Sequence, residues 1–190
     1  MALLGYMSYS DKPAIFTLIF MSAGFISILI HELGHALTIR KFGLPTEITL
    51  HSFGGHATYP PGRLDRKQSF LVTAAGPGLQ VALALLLIAL IQFVPVPEES
   101  LLNELIINLI VVSIVWAILN CLPVYPMDGG QMMAAILGPR REHLVYLISI
   151  VVAVAIGLIA LAKYGQPLLP IFMGLFAWQN WQMYQNHSQR

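Results

Sequence analysis

His31, Glu32 and His35 stand together in the stretch His31-Glu32-Leu33-Gly34-His35. On a helix this spacing puts two imidazoles at i and i+4 on one face, where both can reach a single zinc ion. The glutamate beside them can then act as general base toward water held by the metal. The seventeen residues before the motif, Ala14 to Ile30, carry no charge. The pattern therefore points to a hydrolytic site at the edge of a bilayer. The structural alternative makes His31 and His35 buried polar residues bonded to neighbouring helices, but three ionisable groups inside an apolar helix are costly without a function.

Two histidines leave a catalytic zinc one protein ligand short. The candidate is Asp128, in Asn120-Cys121-Leu122-Pro123-Val124-Tyr125-Pro126-Met127-Asp128-Gly129-Gly130. This segment closes the third apolar run. First and third helices of a bundle that crosses the bilayer back and forth run in the same direction, so their carboxyl ends emerge at one depth. Pro123 and Pro126 stop the helix, and the two glycines let the chain turn closely beside the metal. The competing reading is that Asp128 caps a short helix from Gly129 to Leu137. Glu104, the other acid within an apolar run, sits near the opposite end of the third helix. His51, His56 and His143 have no spacing that demands ligation and read as loop or surface histidines. The single cysteine, Cys121, excludes an intrachain disulfide and a cysteine-based zinc cluster, and reads as a small packing residue.

The elements that must position these residues are apolar. Of 190 residues, 57% are hydrophobic and 10% charged, which sets the chain apart from an average soluble domain; the mean hydropathy is +0.73. A net charge of +1 excludes the basic balance of a nucleic-acid binder. The expected fold is an all-α polytopic membrane protein of about five transmembrane helices, near 14–39, 70–94, 101–122, 144–162 and 167–181. The fifth ends in Gln179, Asn180 and Gln182, with Trp178 and Trp181 suited to an interfacial belt. All of it is read as one integral-membrane domain, 1–190. The first run lacks a basic leader and carries the motif, so it is not read as a cleaved signal peptide. Arg40, Lys41, Arg63, Arg66 and Lys67 follow the first helix, and Arg140 and Arg141 follow the third. By the positive-inside rule the amino terminus then lies outside and the site toward the cytoplasm, in a plasma or inner membrane.

The pair H-E-L-G-H and N-x-x-P-x-x-P-M-D-G-G resembles the site-2 protease family of intramembrane zinc metalloproteases, in a compact form with no PDZ or nucleotide-binding regulatory domain. The resemblance implies one Zn2+ held by His31, His35 and Asp128, with Glu32 as the base. It also implies that Asn120 binds the substrate or stabilises the oxyanion. Ala75-Gly76-Pro77-Gly78-Leu79-Gln80 is similar to the family's A-G-P-x-x-N, whose asparagine assists at the site; this chain has Gln80 there. A Gly-Pro kink that packs helices closely is the plainer reading of that stretch. Around 47–59, Ile48, Leu50 and Ser52 alternate with Thr49, His51 and Phe53 before Gly54 and Gly55. This resembles the family's membrane-associated β-hairpin, which would contact substrate; a juxtamembrane loop with turn glycines is the alternative.

The function implied is an intramembrane endopeptidase. Its partners would be the lipid bilayer and a membrane-spanning protein substrate, released as a regulator from the membrane. A transmembrane substrate helix hides its peptide bonds in its own hydrogen-bond ladder and must unwind, and an exposed strand edge could take over the lost bonds. A non-proteolytic metal-binding or transport protein is the competing class. Transport predicts polar residues spread through the bilayer, whereas here they cluster at one depth. Prenyl-protein proteases also carry H-E-x-x-H, but their distal glutamate has no counterpart here. The sequence leaves the oligomeric state open.

Overall fold

The computed structural model describes residues 14–51, 54–165 and 167–188. Helix α1 covers Ala14–Lys41, strands β1 and β2 cover Glu47–His51 and Gly54–Thr58, and helices α2 and α3 cover Arg66–Phe93 and Leu101–Asn120. A short α4, Asp128–Leu137, leads through one 3₁₀ turn into α5, Glu142–Tyr164, and α6 is Leu168–Ser188. The order follows the expected one of apolar helices around a hairpin.

Local chemistry sets where these helices begin. Asp65 and Gln68 cap α2 reciprocally: the Gln68 amide donates to Asp65 Oδ1 at 2.8 Å and the Asp65 amide to Gln68 Oε1 at 3.0 Å. This box starts the helix four residues before the apolar run at Phe70, because the polar first turn is stabilised by its cap. Ser100 opens α3 in a similar way, accepting the Asn103 amide at 3.1 Å. Pro77 lies inside α2 without ending it.

Among the described residues, four helices are long and apolar enough to cross a membrane: Ala14–Lys41, Arg66–Phe93, Leu101–Asn120 and the stretch Pro139–Lys163. The chain is an integral membrane protein. The fifth expected span is a helix of 21 residues. It falls outside that set because its second half carries Gln179, Asn180, Gln182, Gln185 and Asn186 among its aromatic residues.

The chain divides into two compact units. The first holds α1, the hairpin, α2 from Ala75 onward and α3 up to Leu119. Its two strands are antiparallel, pairing Glu47 with Thr58, Thr49 with His56, Leu50 with Gly55 and His51 with Gly54. Both strands lie against α1. The hairpin thus forms as the alternation predicts, with Gly54 and Gly55 opening the second strand; Ser52 and Phe53 lie outside the described residues.

The second unit holds residues 64–74 and the chain from Asn120 onward. Val124, Ala153 and Met173 are fully buried at its core, joined by Leu122, Met127, Ile156 and Phe176. The irregular backbone before α4 is tied to the helices around it. Ser149 Oγ of α5 accepts the Tyr125 amide at 2.9 Å, and Asn180 Nδ2 of α6 donates to the Tyr125 carbonyl. Asn180 also donates to Phe176 O at 2.8 Å. Non-helical backbone in an apolar setting persists where such partners satisfy it. At the far end of α4, the Arg66 guanidinium donates to the carbonyls of Ala135 and Ile136, a cation at a helix carboxyl terminus.

Asn180→Leu removes a buried donor from Tyr125 while keeping the side-chain volume. We expect it to destabilise the protein by about 1–3 kcal/mol, against almost nothing for Gln179→Leu on the exposed neighbouring position. Denaturant unfolding in detergent micelles reads the difference, and equal loss in both variants would remove the role given to Asn180.

Candidate metal and hydrolytic site

α1 carries the site's first three residues because H-E-x-x-H falls wholly within it. His31, Glu32 and His35 are buried, although the helix offers Phe25, Leu29 and Leu37 to the outside. The two imidazoles meet edge to face, and their Nε2 atoms lie 3.0 Å apart. Two ligands of a tetrahedral zinc at about 2.0–2.1 Å sit roughly 3.3 Å from one another. The pair is therefore close to the spacing that a shared ion requires.

What lies against these rings explains the glycines nearby. A Cβ at Gly76 of α2 would stand 2.3 Å from His35 Nε2 and 3.0 Å from His31 Cε1. A Cβ at Gly34 of α1 would stand 2.4 Å from the Ala75 carbonyl oxygen. Each glycine removes the side chain that would hold the two helices apart, so the G of H-E-L-G-H and the G of A-G-P form one close contact. The plain reading of A-G-P-G, close helix packing, is thus met at Gly76.

Gln80, one helical turn beyond Gly76 on α2, is fully buried. Its Oε1 lies 2.9 Å from His31 Nδ1. Its Nε2 donates to Ser27 O at 3.2 Å and to Ser27 Oγ at 2.8 Å. Ser27 Oγ in turn lies 3.0 Å from Ser113 Oγ of α3. Ser27 and Ser113, both fully buried, are members of the site that the motifs do not mark. One signal was available: Ser27 lies one turn before His31 on the same face of α1.

The second unit supplies Asn120, the last residue of α3, and Asp128, buried at the first position of α4. The N-cap of α4 is Met127, and it makes no side-chain cap bond. The capping role that competed for Asp128 is therefore not the one it fills. Its place in the first turn sets its side chain at the positive end of the helix dipole. Gly129 and Gly130 turn the chain against itself: added Cβ atoms would stand 2.2 Å from Cys121 O and 2.3 Å from the Tyr125 amide nitrogen. Cys121 is exposed, so the packing role read from the sequence is not the one it fills; partial burial, then the Asp128 carboxylate, push its thiol above the ordinary value, which disfavours the nucleophilic thiolate.

The facing imidazole nitrogens of His31 and His35 belong to the first unit and the Asp128 carboxylate to the second. Two imidazole nitrogens and a carboxylate match a catalytic zinc that keeps a fourth position open. The remaining candidates sit elsewhere. Glu104 accepts from Asn108 one turn along α3 at 3.0 Å, and His143 stacks on His187.

The comparison with solved structures decides the fold. The site-2 protease from Methanocaldococcus jannaschii superposes with a TM-score of 0.66 at 22% identity, over 96% of this chain and 84% of that one. The chain has the site-2 protease fold. Sequence relatives point the same way. Zinc metalloprotease MJ0392 of Methanocaldococcus jannaschii is 28% identical over 121 residues, 63% of this chain and 34% of that protein. The Synechocystis protein sll0528, provisionally named a zinc metalloprotease, is 33% identical over 114 residues, 59% of this chain and 29% of that protein. The matched stretch spans about a third of the length of these curated relatives. No family model matches the chain. Fold, motif order and relatives thus agree with the site-2 protease family named from H-E-L-G-H and P-M-D-G-G.

Gly76→Ala drives a methyl group into the imidazole pair, whereas Gly78→Ala places its Cβ in open space. We expect metal content per protein to collapse in the first variant and to match the wild type in the second, as read by elemental analysis of the purified proteins.

Proposed function

We propose that the chain is an intramembrane zinc endopeptidase, a single integral-membrane domain over 1–190, that hydrolyses peptide bonds within or near transmembrane segments of membrane-anchored regulatory proteins. The observation that carries this reading is the facing pair of buried imidazole nitrogens, set beside Glu32 in a helix long and apolar enough to span a bilayer. Similarity to proteins named zinc metalloproteases supports zinc as the ion and proteolysis as the activity.

In this reading His31, His35 and Asp128 hold one zinc ion. When bound, zinc supplies a polarised scissile carbonyl and a water made acidic near neutral pH. Glu32 takes the proton of the attacking water on its carboxylate and passes it to the leaving nitrogen. The Asn120 amide, at the carboxyl end of α3, donates to the oxyanion as it develops. Burial of Glu32 strengthens its electrostatic action, because little water screens it.

A helical substrate has to surrender part of its hydrogen-bond ladder before its peptide bonds are open to attack. The Glu47–Thr58 hairpin, with Gly54 and Gly55 at the start of its second strand, offers backbone to an unwound segment by strand addition. The basic residues after α1 and α3 support, by the positive-inside rule, a site that faces the cytoplasm, with the amino terminus outside, in a plasma or inner membrane.

The test is reconstitution in vesicles with single-span substrates. Glu32→Gln should retain metal and lose at least about a hundredfold in cleavage rate, and a chelator should abolish wild-type cleavage until zinc is returned. Metal retained in both proteins with cleavage by neither would favour a non-proteolytic metal-binding or transport protein instead. In the same assay, Ile48→Pro and Leu50→Pro should slow cleavage with zinc content intact, since proline removes the donors a paired substrate strand would use. Unchanged cleavage by these folded variants would remove the hairpin from substrate binding.

A further inference from the structure

We infer that Gln80 is a positioning residue that fixes the tautomer of His31, and that Ser27 and Ser113 set the orientation of its amide. The inference rests on reading His31 as a metal ligand.

It follows from which atoms can donate. The Ser27 backbone carbonyl is an acceptor only, so the group facing it at 3.2 Å is the NH₂ of the Gln80 amide. The flipped amide would set one carbonyl oxygen against another in a site where Gln80 and Ser27 are both fully buried. The second hydrogen of that NH₂ goes to Ser27 Oγ at 2.8 Å. The Ser27 hydroxyl also lies 3.0 Å from Ser113 Oγ, a contact in which either hydroxyl can donate and which holds the Ser27 side chain in place.

With the amide so oriented, Oε1 faces His31 Nδ1 at 2.9 Å. An amide oxygen can only accept, so Nδ1 carries the proton of the neutral ring and Nε2 is left with its lone pair. Nε2 is the atom that faces His35 Nε2. The amide of Gln80, oriented by Ser27, thus presents the correct nitrogen of His31 before any metal arrives. A free imidazole in water samples both tautomers and all ring orientations, and outer partners of this kind typically govern metal affinity by about 10–100-fold.

The length of the side chain matters to this role. Gln80 bonds His31 and, one turn back along α1, Ser27 at once. Asparagine at position 80 keeps the amide but shortens its reach by a methylene, so it has to give up one end of the bridge.

Two measurements separate positioning from bulk packing, both on the full chain in detergent micelles. In metal-free protein labelled with ¹⁵N-histidine, under mildly alkaline conditions, wild-type His31 should show a fixed Nδ1–H ring. Gln80→Leu should show an average of the two tautomers. In cobalt titrations, Gln80→Leu should bind about 10–100-fold more weakly, with a shifted visible spectrum and an unchanged thermal midpoint. Ser27→Ala leaves the amide its carbonyl partner, so its loss should be smaller, with Gln80→Asn between the two.

A wild-type His31 ring bearing its proton on Nε2 overturns the inference, whether or not any variant folds. So does a Gln80→Leu protein that binds cobalt with wild-type affinity and spectrum. If the wild type binds no cobalt, the metal reading of His31 fails, and the tautomer signal still decides what Gln80 does.

Discussion

The contact between α1 and α2 at Gly34 and Gly76 is the constraint on which the imidazole pair depends. Neither position has space for a single carbon, since one faces the Ala75 carbonyl and the other the rings themselves. Once the backbones are this close, the period of the helix does the rest. Ser27, His31 and His35 descend one face of α1 in steps of four, and Gln80 and Gly76 face them from α2 with the same step. The two helices are antiparallel here, because low numbers on one meet high numbers on the other. A polar ladder is thereby built into an apolar pair without leaving either helix. Each rung satisfies the next, which matters because hydrocarbon offers no water to a stranded donor.

The Pro123–Gly130 segment meets the same demand by another route. Its prolines break the helix and its backbone leaves regular geometry, so its amides and carbonyls need partners from outside. Ser149 and Asn180 take the amide and carbonyl of one residue, Tyr125, from two different helices. Gly129 and Gly130 then allow α4 to start directly against Cys121, Leu122 and Tyr125. α6 thus has work in the second unit that its composition alone does not suggest: its polar half reaches inward at Asn180 to hold the segment that carries Asp128.

Much of this was legible in the residues. H-E-L-G-H fell on a helix because an uncharged run leads into it, and the four spans follow from length and composition alone. The hairpin formed where alternation met Gly54 and Gly55. What escaped was the partnership of single polar residues. Ser27, Ser113 and Ser149 sit within apolar stretches and Asn180 within a polar helix end, and helical period shows which face each takes but not which neighbouring helix it meets. Asn180 looked like part of a polar helix end, because Gln179 and Gln182 flank it; only burial separates it from them. For Asp128, an aspartate before a helix is a common cap, and only the backbone angles at Met127 show that the cap lies one residue earlier.

Gln80 shows most clearly what spacing can and cannot say. By motif alone it stands where the family has an asparagine that assists at the site, with one methylene more. In the structure that methylene lets one amide bridge two turns of α1, from Ser27 to His31. With its oxygen at His31 and both hydrogens at Ser27, this amide has no donor left to offer an oxyanion. On the proposed reading, oxyanion stabilisation falls to the Asn120 amide and Gln80 acts through His31. Under that proposal the amide at position 80 supports the residue that holds the metal rather than the reacting atoms.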